Sequence, residues 1–202
     1  MKYDTKPCTE EDADFIEEKL DAINHSIVPP ENGAEDEDIV FKIADDEGNT
    51  IAGCILIIDS WKIAELDIIW VNEKYRRKGL GSALIRAAEK AARERGCYVM
   101  ILGTFDFQAR LLYEKHGYSL CGTIRDFPKG HENYTLIKRL DQPDQEPSPS
   151  KDLPTVFEIG SGDEDDAEII IKGLDDYNTS QAARNHKKSI PLEKNCWMWT
   201  AT

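Results

Sequence analysis

Apolar and polar positions alternate with two different periods along this chain, and the changes of period mark its elements. Thr9-Glu10-Glu11-Asp12 opens a helix, with Thr9 as N-cap and acids in the first turn. Phe15, Ile16, Leu20 and Ile23 then keep helical spacing to about Ser26. Pro29-Pro30 and an acidic, glycine-containing stretch end the regularity. Two strand-like runs follow, Ile39–Ala44 and Ile51–Asp59, split by the turn Asp45-Asp46-Glu47-Gly48-Asn49, which together predict a hairpin. A third strand is expected from about Ile63 to Val71. From there the period lengthens to about 3.6: Leu80, Ala83, Leu84, Ala87, Ala88 and Ala91 form one apolar stripe, which Gly96 closes. A short buried strand at Cys97–Leu102, a short helix at Gln108–His116, and strands at about Tyr118–Ile124 and Asn133–Lys138 complete the pattern. Strands interrupted by helices predict a mixed α/β sheet with helices on both faces.

Residues 141–154 carry four prolines and no core-forming cluster, and read as a linker. Beyond them the opening of the chain recurs. With a shift of 154 positions, Asp12, Ala13, Ile16, Leu20, Asp21, Asn24 and Ser26 meet Asp166, Ala167, Ile170, Leu174, Asp175, Asn178 and Ser180, seven identities in fifteen gapless positions. The expected organisation is one domain over residues 1–140, the linker, and a partial repeat over 155–202. That repeat has no second glycine turn and fewer than fifty residues, too few for a secure core of its own. It would dock on the first domain or on another copy of the chain, which leaves a homodimer open.

Charge narrows the function. The net charge of −14 argues against nucleic acid as a partner. Its distribution is uneven: residues 9–48 hold fifteen acids against Lys19 and Lys42, whereas residues 72–95 hold eight bases against three acids. Helix-face ion pairs account for Arg86, Lys90, Arg93 and Arg95. They do not account for Arg76-Arg77-Lys78, whose like charges crowd before a glycine turn; an anionic ligand would relieve that repulsion. No apolar run approaches the ~20 residues of a membrane span, and the first residues lack a signal-peptide pattern, so a cytoplasmic protein is expected. Cys8, Cys54, Cys97, Cys121 and Cys196 are odd in number and form no C-x-x-C pair, and the four histidines do not cluster, so no metal is expected. Cys54 and Cys97 read as core residues.

The candidate chemistry lies between the third strand and the Ala-rich helix, at Arg76-Arg77-Lys78-Gly79-Leu80-Gly81. A strand that feeds a glycine turn into a helix presents unpaired N–H groups, helped by the helix dipole, to a phosphate or pyrophosphate. The turn is not a P-loop, because no Gly-Lys-Ser/Thr follows, and Gly79-x-Gly81 lacks the third glycine of a dinucleotide fingerprint. Arg76-x-x-Gly79-x-Gly81 resembles the acetyl-CoA signature of the GNAT (Gcn5-related N-acetyltransferase) superfamily. Thr104–Tyr118, with Tyr113-Glu114-Lys115-His116-Gly117-Tyr118 closing a short helix, resembles that family's second conserved stretch. Element order from Met1 to Leu140 agrees.

The resemblance implies a GNAT-type α/β fold: a mostly antiparallel central sheet with a splayed central strand pair. It implies an N-acetyltransferase that moves an acetyl group from acetyl-CoA directly to a primary amine. An acetyl-CoA-binding regulatory module without turnover is the alternative reading. Carried over, Ile69, Trp70 and Val71 would face the pantetheine arm, and Arg76, Arg77, Lys78, Gly79, Leu80, Gly81 and Ser82 would hold the pyrophosphate. Gln108 stands where the family often has an Asn near the cofactor. Tyr113 is the candidate general acid. Glu65 is the candidate base, with Asp67 expected on its face two residues on. Trp61 and Trp70 are candidates for an acceptor pocket or for core. His116 reads as a helix C-terminal side chain. The acidic N-terminal region would attract a cationic amine acceptor, a small molecule or a protein.

Overall fold

The computed structural model describes residues 6–7, 9–31, 34–142 and 157–186. Most of the linker (143–154) and residues 187–202 of the repeat therefore lie outside the described residues. Helix α1 (Glu10–Ile27) leads through residues 28–36 into the hairpin β1 (Glu37–Ala44) and β2 (Thr50–Ile58), and β3 (Ile63–Val71) follows. After a single 3-10 turn (Glu73–Tyr75) come α2 (Leu80–Glu94), β4 (Val99–Phe105), α3 (Arg110–Lys115), β5 (Ser119–Arg125) and β6 (Glu132–Arg139). The repeat contributes β7 (Ile159–Ser161) and α4 (Glu164–His186). The strands form one seven-stranded sheet in the order β5-β6-β4-β3-β2-β1-β7, antiparallel throughout except for β3 beside β4. Among the described residues no helix is long and apolar enough to cross a membrane.

Local chemistry explains the boundaries. Asp45 accepts from the N–H groups of Glu47 (3.1 Å) and Asn49 (2.9 Å) and so closes the β1–β2 turn. β3 begins and ends where its pattern predicts. β4 runs three residues past the expected Leu102 because β6 pairs with its whole length, from Val99↔Arg139 to Phe105↔Asn133. The short helix starts at Arg110 rather than Gln108, because the Gln108 side chain is tied to the end of β4 and accepts from Phe105 N at 2.9 Å.

The sheet is covered on both faces. On one, α2 lays Leu80, Leu84, Ile85, Ala88 and Ala92 against Cys54, Leu56, Leu66, Met100 and Leu102 in a continuous core. Burial pushes the Cys54 thiol up to about 12, so it behaves as an inert core residue. Glu89 of α2 and Lys138 of β6 pair at 2.8 Å beside this core. On the other face lies α4. A Cβ at Gly53 would overlap the Ile170 side chain and the Phe41 carbonyl, so this glycine is the hole into which Ile170 inserts. Complete burial of one such side chain contributes roughly 1.5–3 kcal/mol. Gly173 in turn brings the α4 backbone onto the Trp70 indole, and any side chain there would collide with the ring.

At the start of α4, Asp166 receives Lys42 Nζ and the Thr50 hydroxyl, each at 2.6 Å. Asp163 and Asp166 also exchange backbone-to-side-chain bonds of 3.1 and 3.0 Å, a reciprocal cap of the helix. α1 carries the same kind of cap, Thr9 with Asp12, yet none of its residues is buried. It is fastened at its C-terminal end, where Trp61 Nε1 donates to the Val28 carbonyl at 2.8 Å and meets the edge of His25.

Candidate active site

The site begins with a failure of pairing. β2 accompanies β3 along its length, but β4 pairs with β3 only at Ile63↔Val99, Ala64↔Met100 and Glu65↔Ile101. Beyond Glu65 the two strands diverge, which is the splay expected of the central pair. Backbone groups of Leu66–Val71 on that side are left without a strand partner and face a gap. A cavity of about 1270 Å³ opens there. Its walls include Ile69, Trp70 and Val71 of β3, Arg76, Arg77 and Gly79–Ser82 of the turn, and Gln108, Leu112 and Tyr113 around α3.

At one end stands the N-terminus of α2. Arg77 (φ +61) and Gly79 (φ +90) are left-handed and swing the chain sharply into the helix. Gly79 bears that conformation without strain, whereas Arg77 stores some, as residues at functional sites often do. Gly79 is the N-cap and supplies no side-chain bond to the helix. The first N–H groups of α2, at Leu80, Gly81 and Ser82, have no acceptor within the helix. Uncapped donors, a helix dipole and neighbouring arginines make an anion site.

Two basic side chains of the turn are used internally. Arg76 Nε donates to the Val71 carbonyl at 3.0 Å, and its guanidinium lies 4.4 Å over the Tyr177 ring. Lys78 sits over Tyr75 at 4.9 Å and is not part of the cavity wall. Arg77 remains exposed beside the turn. Ser82 Oγ is 3.0 Å from His116 Nε2, and His116 is the C-cap of α3, so the two helix ends are joined.

Tyr113 lines the cavity and is 6% exposed. Burial, with a smaller contribution from Cys54, drives its phenol far above the usual range. It stays protonated at neutral pH, as a proton donor must.

The expected base is placed differently from the expectation. Ile55 pairs with Ile68 and Leu56 with Leu66, so Asp67 has no partner in the register and forms a bulge. The bulge breaks the alternation that was to put Glu65 and Asp67 on one face. Asp67 lines the cavity, and Glu65 does not. Burial raises both carboxyls above their ordinary values; Asp67 raises Glu65 further, and Asp38 raises Asp67.

Gln108 reaches the cavity with its amide already engaged. Its Oε1 accepts from Thr104 Oγ1 and Phe105 N, and its Nε2 donates to Asn178 Oδ1 at 2.8 Å. The partner lies on α4, as do Leu174 and Tyr177, which also line the cavity. Tyr177 donates to the Phe107 carbonyl at 3.1 Å. The repeat in the sequence was a signal that these residues could matter, but not that they would reach the site.

Comparison with known proteins decides what kind of site this is. The profile of the Acetyltransferase (GNAT) family matches residues 5–118. The chain belongs to that family. It is an acyltransferase, and the family generally uses acetyl-CoA as acetyl donor. Among its relatives is a blasticidin-S acetyltransferase of Streptomyces morookaense, 39% identical over 95 residues, which cover 46% of this chain and 70% of that protein. An acetyltransferase of Agrobacterium fabrum is 26% identical over 108 residues, 53% of this chain and 77% of the relative. A crystal structure of an acetyltransferase from Bacillus cereus superposes with a TM-score of 0.63 at 30% identity, covering 68% of this chain and 97% of the other. In this acetyltransferase β7 and α4 lie beyond the family match, yet Leu174 and Tyr177 of α4 complete the wall of the cleft.

Proposed function

We propose that this enzyme transfers an acetyl group from acetyl-CoA directly to the primary amine of a cationic acceptor, with residues 1–140 as the catalytic domain and 155–202 as a partial repeat without a cofactor site of its own. The observation that carries the reading is the opening of an uncapped helix N-terminus and a buried, protonated tyrosine into one cleft between splayed strands. The residues fit the donor: Gly79–Ser82 offer N–H groups to a pyrophosphate, Arg77 adds charge, and the free edge of β3 from Ile69 to Val71 offers backbone pairing to a pantetheine arm. Bound there, acetyl-CoA supplies the thioester carbon that an amine attacks and the thiolate that leaves.

The chain supplies the proton movements. Tyr113 holds a proton for the departing sulfur. Asp67 is the carboxylate best placed to take the proton from an acceptor ammonium, since it lines the cleft and its pKa is raised above the ordinary aspartate value. Asp38 adds to the effect of partial burial in keeping the Asp67 carboxyl above its ordinary value. Backbone N–H groups near Val71 would stabilise the developing oxyanion. Arg76 and Gln108 position the turn and the end of β4 rather than bond the cofactor. The carboxylate of Asp67 in the cleft, with Asp38 close enough to act on it, favours a cationic acceptor. A relative named for blasticidin-S puts small amine-bearing molecules first in a screen, with protein amines second.

The test is release of free CoA from acetyl-CoA with a panel of amines headed by blasticidin S, with products identified by mass. Tyr113→Phe is expected to lower kcat by roughly 10²-fold. Asp67→Asn should remove the acidic limb of the pH–rate profile, while Asp38→Asn should move it to lower pH. Absence of thermal stabilisation by millimolar acetyl-CoA, with no CoA release from any amine, would sink the reading.

A further inference from the structure

Among the described residues the apolar stripe of α1 is buried against nothing. Phe15, Ile16, Leu20, Ile23 and Ile27 are each more than half exposed. In proteins most helical stability comes from packing an apolar face rather than from propensity. α1 therefore has an unmet need for a surface.

The residues of α1 match those that the α4 seat recognises. Four side chains of α4 meet the body of the protein at defined places. Asp166 takes Lys42 and Thr50, Ile170 fills the hole over Gly53, Leu174 closes the cleft, and Asn178 accepts from Gln108. Their counterparts under the 154-residue shift are Asp12, Ile16, Leu20 and Asn24, the same residue types at the same spacing. Helical amphipathicity alone would preserve the two apolar positions. The helix cap accounts for the aspartate, but neither cap nor amphipathicity gives a reason to preserve the asparagine, whose α4 copy accepts from Gln108. The reciprocal N-terminal cap recurs at the same offset.

Two differences run against α1. Lys19 stands where Gly173 lets the helix backbone touch Trp70, and Ile23 stands where Tyr177 stacks on Arg76 and bonds the Phe107 carbonyl. These explain why α4 holds the seat and α1 is left outside.

We propose that the β2–β3 face is a helix-docking surface with two occupants in one chain: α4 at rest, and α1 when α4 leaves. Residues 28–36 tether α1 to β1 and can span roughly 30 Å when extended, so the exchange is intramolecular. With α1 seated, Asp12 meets Lys42 and Thr50, Ile16 enters the hole over Gly53, and Asn24 meets Gln108. Trp70 must turn aside for Lys19, and Arg76 loses its aromatic partner. Occupancy thus reaches the glycine turn through Arg76. The inference rests on the seat alone and does not depend on the acceptor or on acetyl transfer.

Disulfide trapping in the full chain, with Cys8, Cys121 and Cys196 replaced by serine, tests it. Thr50→Cys is paired either with Asp166→Cys or with Asp12→Cys. The first pair should close rapidly. The second should close slowly within one chain, and roughly tenfold faster once Gly173→Lys removes the advantage of α4. Gly173→Ala is the milder variant should Gly173→Lys fail to fold. A melting experiment gives an independent reading: Ile16→Asp should be nearly silent alone but lower the midpoint by roughly 10 °C when added to Gly173→Lys. No closure of the Asp12→Cys pair in any background, closure only between chains, or equal effects of Ile16→Asp in both backgrounds would each overturn the proposal.

Discussion

Ile16 and Ile170 hold the same place in two copies of one amphipathic pattern, yet the first is 60% exposed and the second fully buried. The difference is not in helix-forming power, since both segments carry acidic first turns and reciprocal caps. It lies in two positions that see the sheet. A glycine at 173 allows close approach to Trp70, and a tyrosine at 177 closes on Arg76 and the Phe107 carbonyl. Amphipathicity makes a helix able to dock, but contact residues decide which helix does.

The largest expected contrast is at the isoleucines. Ile170→Ala should cost about 2–4 kcal/mol, since it empties the hole over Gly53, whereas Ile16→Ala should stay within about 0.5 kcal/mol. Urea denaturation of both variants checks this, and equal losses would collapse the comparison.

Next comes Gly173. Replacing a mid-helix glycine by alanine ordinarily stabilises by roughly 0.5–1 kcal/mol. Here Gly173→Ala should destabilise by about 1–3 kcal/mol through collision with the Trp70 ring. The opposite sign would show that the helix does not sit on Trp70. Lys19→Ala, on the outer helix, should do neither.

A smaller effect separates the two caps by pH. Burial raises the Asp166 carboxyl, but the bonds from Lys42, Thr50 and Asp163 outweigh it and hold it down to about 2. A carboxyl depressed in the folded state adds stability that is present above its unfolded pKa of about 3.9. That stability drains away as pH falls towards 2. Melts of the parent protein between pH 5 and pH 2 should show this loss, and Asp166→Asn should flatten it. Asp12→Asn should leave the acid profile of the sheet unchanged. The smallest expected effect is at the other end of α4. Tyr177→Phe removes one hydrogen bond to the Phe107 carbonyl, worth roughly 1 kcal/mol. It should raise amide exchange there, with no counterpart for Ile23→Phe.

Much of the fold was legible along the chain because its signals are local. The Asp45–Asn49 turn, the limits of β3, the stripe of α2 and the Arg76–Gly81 turn each depend on neighbours a few residues away. The Tyr113 segment was legible for the same reason, and the splay followed from the family resemblance. What could not be read depended on pairing between distant segments. The bulge at Asp67 exists because β2 and β3 are out of step by one residue, so the face of a carboxylate was decided by a neighbouring strand. Gln108 read as a cofactor ligand, but Asn178, seventy positions on, takes its amide.

The sequence by itself determined that there would be two copies of an acidic, capped, amphipathic helix and a single glycine turn fit for an anion. Periodicity, capping and backbone freedom are properties of short segments, and they survive without knowledge of the fold. Only the tertiary structure decided which copy lies on the sheet, which carboxylate faces the cleft, and that residues outside the family match would wall the site. Those outcomes depend on contacts such as Ile170 over Gly53 and Trp70 against Gly173, where fit is settled at the scale of one side chain.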